Sequence, residues 1–166
     1  GGGGGSYVNP PGAYPGASGG SGIVVIRYQI ATVNTDTAKA TGGAISFYGG
    51  KTIHTFTNSG TFATAPNWSA ATVDYLVVGG GGSGGSGGST QFGGAGGGAG
   101  AVRIGTTPIG AHPVSTTIQV GAGGAGIAND RGADGNASYF GTPITAPGGG
   151  GGGGKDPAQS GGNGGS

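Results

Sequence analysis

The sequence contains no cysteine, no methionine and no glutamate, and only 7% of its residues are charged. Without cysteine it cannot be a disulfide scaffold, and the redox compartment stays open. Six basic and five acidic residues are scattered singly and leave a net charge of +1, so nucleic acid and acidic lipid are not expected partners. Long apolar runs are missing too. The longest strict one, Ile23 to Ile26, is far short of the roughly 18 to 20 residues that cross a bilayer, so membrane insertion is not expected. No window repeats apolar residues every 3.6 positions behind a capping residue, and almost no helix is expected. Neither a charged nor an apolar signal region opens the chain, and its first residue is glycine. A processed or excised segment is expected, with any secretion signal removed or lying upstream.

Glycine is what the chain has in excess, 49 of 166 residues. The organising stretch is Val73 to Gly88, VDYLVVGGGGSGGSGG, where a hydrophobic strand runs without a break into glycine and serine. Similar tracts lie at 1–5, 19–22, 93–100, 121–126, 148–154 and 161–165. Ordering glycine costs about 0.5 to 1 kcal/mol per residue more than ordering alanine, a burden of order 25 to 50 kcal/mol over the chain that nothing local offsets. Two readings are open. The tracts are flexible linkers, or they are threefold, left-handed extended helices, about 3.1 Å per residue, lying side by side and hydrogen-bonding to one another. The second supplies each backbone group with a partner in a neighbouring tract and is the expectation; Gly148 to Gly154 would then span roughly 22 Å. Collagen is excluded, because the chain lacks a strict G-X-Y period.

Between the tracts the chain reads as strand. Residues 1–22 set Tyr7, Tyr14, Pro10, Pro11 and Pro15 among glycines, which favours extended backbone. Ile23 to Tyr28, IVVIRY, is largely apolar on both faces and is expected to be central, covered on both sides. Residues 29–40 are polar and read as a linker. Ile45 to Tyr48, Lys51 to Thr57 and Thr61 to Thr64 are β-type runs, and Asn58-Ser59-Gly60 predicts a hairpin from Lys51 to Thr64. Pro66 to Thr72 reads as a loop exposing Trp68. Val73 to Val78 is again apolar on both faces apart from Asp74, and Ala101 to Ile104 and Thr116 to Val120 follow as strands. Residues 129–141 are turn-rich, anchored by Tyr139 and Phe140. The expected fold class is all-β: a small β-sandwich-like body with packed glycine-rich, polyglycine II-like segments and almost no helix.

Motifs that look catalytic fail on context. Gly79 to Gly85 after a strand matches G-x-G-x-x-G, but no helix can follow and the next acid is Asp130. G-x-S-x-G occurs at 81–85 and 84–88 without the strand-to-helix turn a nucleophile elbow needs. His54 and His112 have no second ligand at metal-like spacing. Asp130, Asp134 and Asn136 lack the spacing and terminal glutamate of an EF-hand, and a plain turn is favoured. Asn67-Trp68-Ser69 and Asn136-Ala137-Ser138 are glycosylation sequons, which makes Asn67 and Asn136 candidate acceptors in a secretory pathway. No cofactor and no metal is expected.

GGKTIHTFTNSGTF (49–62), VDYLVVGGGGSGG (73–85), TIQVGAGGAG (117–126) and GGSGIVVIRY (19–28) together resemble the glycine-rich domain found in phage tail-fibre proteins and bacterial surface proteins. More loosely, the chain is similar to phage tail-tip adhesins whose receptor-binding region is a polyglycine bundle. The resemblance implies a non-enzymatic β domain, and the looser one implies loops between tracts that contact a host receptor. In that domain the IVVIRY-type strand closes the unit, whereas here it precedes the hairpin. The chain therefore reads as an arm and strand at 1–28 that complete a neighbouring unit, a linker at 29–40 and a glycine-rich β domain at 41–166. The neighbouring unit is either the next repeat of a longer chain or a second subunit.

Two functions follow as expectations. A strand apolar on both faces, carried on an arm, suits β-strand addition, and a head-to-tail contact that does not close into a ring makes a filament. The first expectation is a structural subunit of an extracellular fibre, a head-to-tail homopolymer. Ile23, Val24, Val25, Ile26 and Tyr28 would form its inserted strand, and Val73, Tyr75 and Val77 its partner. The second is a tail-fibre or adhesin domain binding a cell-surface glycan or protein receptor through Tyr7, Tyr14, Trp68 and the 127–147 loops.

Overall fold

The computed structural model describes residues 1–5, 14–29, 37–87, 93–128, 130–154 and 160–165. Among them the regular structure is all β, with no helix. The strands are β1 (Ile23–Gln29), β2 (Ala40–Thr41), β3 (Ala44–Tyr48), β4 (Lys51–Phe56), β5 (Gly60–Thr64), β6 (Thr72–Val78), β7 (Val102–Pro108), β8 (Ser115–Gln119), β9 (Ser138–Phe140) and β10 (Ile144–Ala146). They form two five-stranded antiparallel sheets, ordered β3-β4-β1-β6-β7 and β10-β9-β8-β5-β2. The sandwich expected from the alternating runs is thus present, and β1 is the middle strand of its sheet.

The hairpin expected from Lys51 to Thr64 does not form. The tight turn lies one loop earlier, at Gly49-Gly50, whose φ values of 57° and 71° suit a two-residue type I′ turn joining β3 to β4. After β4 the chain changes sheets. β4 turns Thr52, His54 and Phe56 inward from one sheet, and β5 turns Phe62 and Thr64 inward from the other. Stacked across the core, the two strands bury these rows against each other; paired side by side they could not. Ser59 Oγ accepts the Val120 N–H at 3.0 Å and ties this arch to the end of β8.

Val24, Ile26, Tyr28, Phe56, Val73 and Val77 fill the interior from one side, and Phe62, Ile118, Phe140 and Ala146 from the other. Phe62 is central: the rings of Tyr28, His54, Trp68 and Phe140 stand edge-on to it at 6.4, 5.2, 5.9 and 6.0 Å. Such pairs add about 0.5 to 1.5 kcal/mol each beyond their buried area. Trp68, expected on an exposed loop, is half-buried here because its ring closes the core over Tyr28, 4.9 Å away.

At one end of the sandwich the strands lose their side chains and continue as glycine tracts. β6 runs into 79–87, β8 into 121–126 and β10 into 148–154, while 14–22 leads into β1, 93–101 into β7 and 130–137 into β9. Side chains hold packed sheets about 10 Å apart; without them the backbones close to direct hydrogen-bonding distance. Tract 79–87 is the axis and is buried throughout. Its N–H groups leave in a repeating order of three. Gly79, Gly82 and Gly85 donate to Ala101, Gly98 and Ala95; Gly80, Ser83 and Ser86 donate to Asn136, Ala133 and Asp130; Gly81 and Gly84 donate to Gly20 and Ala17. Its carbonyls accept in the same rotation from Gly149 and Gly152, from Gly124 and from Gly3.

Six tracts therefore surround one: 1–5, 121–126 and 148–154 run with the axis, and 14–22, 93–101 and 130–137 run against it, in alternation. Bonds such as Gly97 to Gly3, Ala17 to Gly4, Gly19 to Gly124, Asn136 to Ala122, Gly135 to Gly149 and Gly98 to Gly150 close the ring. The period of three is that of a threefold extended helix, so the axis is roughly 25 Å long. The tracts that run against the axis need glycine where they face it, one residue in three, as at Gly16, Gly19 and Gly22 or at Gly94, Gly97 and Gly100, whereas in those that run with it a Cβ would meet a neighbouring ring tract, as at Gly123 against Gly19 or Gly151 against Gly132. A Cβ at Gly97 or Gly135 would strike the carbonyl of Gly82 or Gly80. Segment 130–137, DRGADGNA, which reads as turns by composition, belongs to the ring for this reason: Gly132 and Gly135 face inward, while Asp134 lies outside, accepting the Gly151 N–H at 2.7 Å and pairing with Arg131.

Candidate functional site

The described part of the segment singled out by sequence, residues 1–28, enters both halves of the molecule. In the sandwich, β1 sits between β4 and β6. It pairs with β6 as Ile23 to Val78, Val24 to Val77, Val25 to Leu76, Ile26 to Tyr75 and Arg27 to Asp74. The nominated residues Val77 and Tyr75 thus lie directly opposite Val24 and Ile26, and Val73 is buried just beyond the last registered pair. The second partner, β4, was not legible: Val24 to Phe56, Ile26 to His54 and Tyr28 to Thr52 are opposed along its length. The signal for it was β1 itself: a strand apolar on both faces belongs in the middle of a sheet, where both of its edges are paired.

Polar groups lock the register at the end of β1. Asp74 Oδ2 accepts from Arg27 Nε on β1 at 2.9 Å and from Lys51 Nζ on β4 at 3.0 Å, while its Oδ1 accepts from Thr106 on β7 at 3.0 Å. One carboxylate thereby clamps β6 to strands on both sides. Hydrogen bonds from Lys51 and Thr106, with Arg27 adding to them, hold its pKa at about 2. On the inner face, the Tyr28 hydroxyl accepts the Lys39 N–H at 2.9 Å and lies 3.2 Å from His54 Nε2. His54 Nδ1 is 2.7 Å from the Gly42 carbonyl and must donate to it, so the neutral Nε2 accepts from Tyr28. Burial pushes the imidazole below its usual range and the phenol above its own.

In the bundle, tracts 1–5 and 14–22 take two of the six positions around the axis. Two fully buried serines interrupt the axial glycines and do distinct jobs. Ser83 Oγ accepts the Ala133 N–H at 2.8 Å, taking the place of a backbone carbonyl. Ser86 Oγ donates to the Tyr14 carbonyl at 3.0 Å and ties the arm to the axis.

The residues nominated for ligand contact are not brought together. Tyr7 lies outside the described residues, Tyr14 is 59% exposed at the arm, and Trp68 packs into the core. Asn67 and Asn136 are both exposed, but the hydroxyl of Ser138, third residue of the second sequon, is buried and accepts the Gly121 N–H. A groove of about 290 Å³ on the outer face of the first sheet is lined mainly by Val25, Leu76 and Ile104, with the Arg27 and Asp74 pair at its rim. Among the described residues no group of three or more His, Asp or Glu side chains could hold a metal, and no helix is long and apolar enough to cross a membrane.

A two-sheet β body whose strands continue into a hydrogen-bonded glycine bundle places the chain among glycine-rich β domains. The family comparison agrees: the model of the glycine-rich domain matches residues 55–166, more than half of the chain, and the chain belongs to that family. No curated protein and no solved structure matches it.

Proposed function

We propose that this chain is a non-enzymatic structural subunit of an extracellular fibre, in which residues 1–29 of one copy occupy the cleft between β4 and β6 of the next. The observation behind this reading is where the segment sits: it supplies the middle strand of one sheet and two of six tracts around the axis, yet joins the described remainder only through 30–36. Withdrawn, it would leave β4 and β6 with facing unpaired edges and would take the partners from the N–H groups of Gly81 and Gly84 and the carbonyl of Gly82. Edges of that kind accept an added strand. Every contact made within one copy, including the Asp74 clamp and the Ser86 tie, is available between copies. Exchange along a row is head to tail and makes a filament when it does not close. The resemblance to domains of phage tail fibres and bacterial surface proteins supports an extracellular setting.

Electron microscopy of the 166-residue protein at micromolar concentration, beside a version lacking residues 1–29, tests the proposal. Filaments with a regular axial repeat are expected from the full chain and none from the shortened one. Normal filaments from the shortened chain would sink the idea. Discrete particles from the full chain would also overturn it and favour the receptor-binding reading.

A further inference from the structure

Four described strands stand at the edges of the two sheets, and sheet edges invite pairing unless they are short, charged or interrupted by proline. Three of the four carry such guards. β7 contains Arg103 and ends in Pro108; β10 has three residues bracketed by Pro143 and Pro147; β2 has two residues and follows Lys39. β3 has none. Its five residues, AISFY, carry no charge and no proline, and all five are exposed, Ile45 at 41%, Phe47 at 38% and Tyr48 at 82%.

We infer that the free edge of β3 is a self-pairing site, through which two copies of this chain join their first sheets antiparallel about a twofold axis at Ser46. The register follows from the β3–β4 hairpin. Tyr48 and Lys51 flank a two-residue turn as a hydrogen-bonded pair, so the N–H and C=O groups of Tyr48, Ser46 and Ala44 face β4. Ile45 and Phe47 turn theirs outward. Centred on Ser46, two β3 strands oppose Ile45 to Phe47 twice, and each pair exchanges both of its backbone bonds. The inner-face side chains of Ile45 and Phe47 then cover those of the second copy. On the outer face Ala44 meets Tyr48, small against large, and Ser46 meets itself. No like charges oppose one another, and the contact uses the same patch on both copies, so it closes at a pair. A second copy is the occupant because the strand complements itself in this register. The inference does not rest on the fibre reading: arm exchange uses β1, β4 and β6, whereas β3 lies beyond β4.

The natural chain has no cysteine, which allows a register test by cross-linking of the full-length protein. In the centred register residue 46 opposes itself in a non-hydrogen-bonded pair, with Cα atoms about 4.5 Å apart, within disulfide range. Residue 44 of one copy lies roughly 13 Å from residue 44 of the other. Under mild oxidation Ser46→Cys is expected to run as a covalent dimer, Ala44→Cys and Tyr48→Cys alone as monomers, and an equal mixture of the last two as a mixed dimer. Adding Phe47→Lys to Ser46→Cys should abolish the cross-link while leaving the unfolding midpoint and Trp68 fluorescence unchanged. Equal cross-linking at all three positions, or none for Ser46→Cys, overturns the inference. Filament formation is read separately by microscopy, so loss of filaments with the cross-link pattern intact would fault the fibre reading alone.

Discussion

Replacing Gly82 by alanine puts one methyl group where the axial tract is enclosed on every side. Gly82 donates to the Gly98 carbonyl and accepts from the Gly3 N–H. A Cβ there would overlap the carbonyl of Gly150 and come within 2.8 Å of the Gly151 nitrogen. These are backbone atoms already committed: Gly150 accepts from Gly98, and its neighbours Gly149 and Gly152 donate to Gly80 and Ser83. Tract 148–154 cannot step aside without surrendering bonds. Overpacking alone costs about 1 to 3 kcal/mol, and each buried backbone group left without a partner adds about 1 to 3 kcal/mol. One or two such losses bring the total to about 2 to 9 kcal/mol, a large share of the roughly 5 to 15 kcal/mol that holds a domain folded. Gly4→Ala is the matched control: a Cβ there meets nothing within 4 Å, and its φ lies outside the left-handed region. It should be neutral or stabilising by about 0.4 to 1 kcal/mol, through the unfolded chain. Guanidinium unfolding followed by fluorescence of Trp68, the one tryptophan, reads both. Equal effects from the two substitutions, or a loss below about 1 kcal/mol for Gly82→Ala, would refute the closed bundle and return the tracts to flexible linkers.

Ser83→Ala leaves the Ala133 N–H without its closest acceptor and should cost about 1 to 3 kcal/mol, whereas Ser86→Ala loses one bond to the arm and should cost about 0.5 to 1.5 kcal/mol. Hydrogen exchange separates them, since only Ser86→Ala should deprotect 14–22 ahead of the other tracts. Acid should weaken the fold in two stages. His54 is neutral when folded and takes up a proton below about pH 6.5 when unfolded, so its contribution is complete above 6.5 and declines as the pH falls through that value toward the lower folded pKa. Asp74 adds a second loss between 3.8 and about 2. Unfolding midpoints that stay level between about pH 8 and pH 5 would contradict the buried neutral imidazole.

Much of the sandwich was written locally. β1 and β6 are apolar on both faces, which places them centrally, and both lie inside the first sheet; only their inner faces are buried, while Val25 and Leu76 on the outer face line an open groove. The turn at Gly49-Gly50 and the arch at 57–59 were harder to tell apart. Both are short and rich in turn residues, and only the opposing inner rows of β4 and β5 decide which one folds back within a sheet. Trp68 reads as a loop residue because its neighbours are polar, yet the gap over Tyr28 and Phe62 exists only once both sheets are in place. Segment 130–137 escaped because its glycines are diluted by Asp, Arg and Asn, although Gly132 and Gly135 keep the spacing of three that the ring requires.

The sequence by itself determined that the chain is β, that helix is absent from the described residues, and that glycine tracts alternate with apolar strands. These are properties of side-chain period and of backbone freedom, and both are local. The order of the tracts around the axis was decided only by the tertiary structure. A run of glycine carries no side chains and therefore no address; Ser83 and Ser86 set 79–87 apart from the all-glycine 148–154, but the groups they bond exist only in the assembled bundle. Each tract is placed by the strand it adjoins, and 79–87 is central because β6 is held between β1 and β7 and faces β9 and β10 across the core.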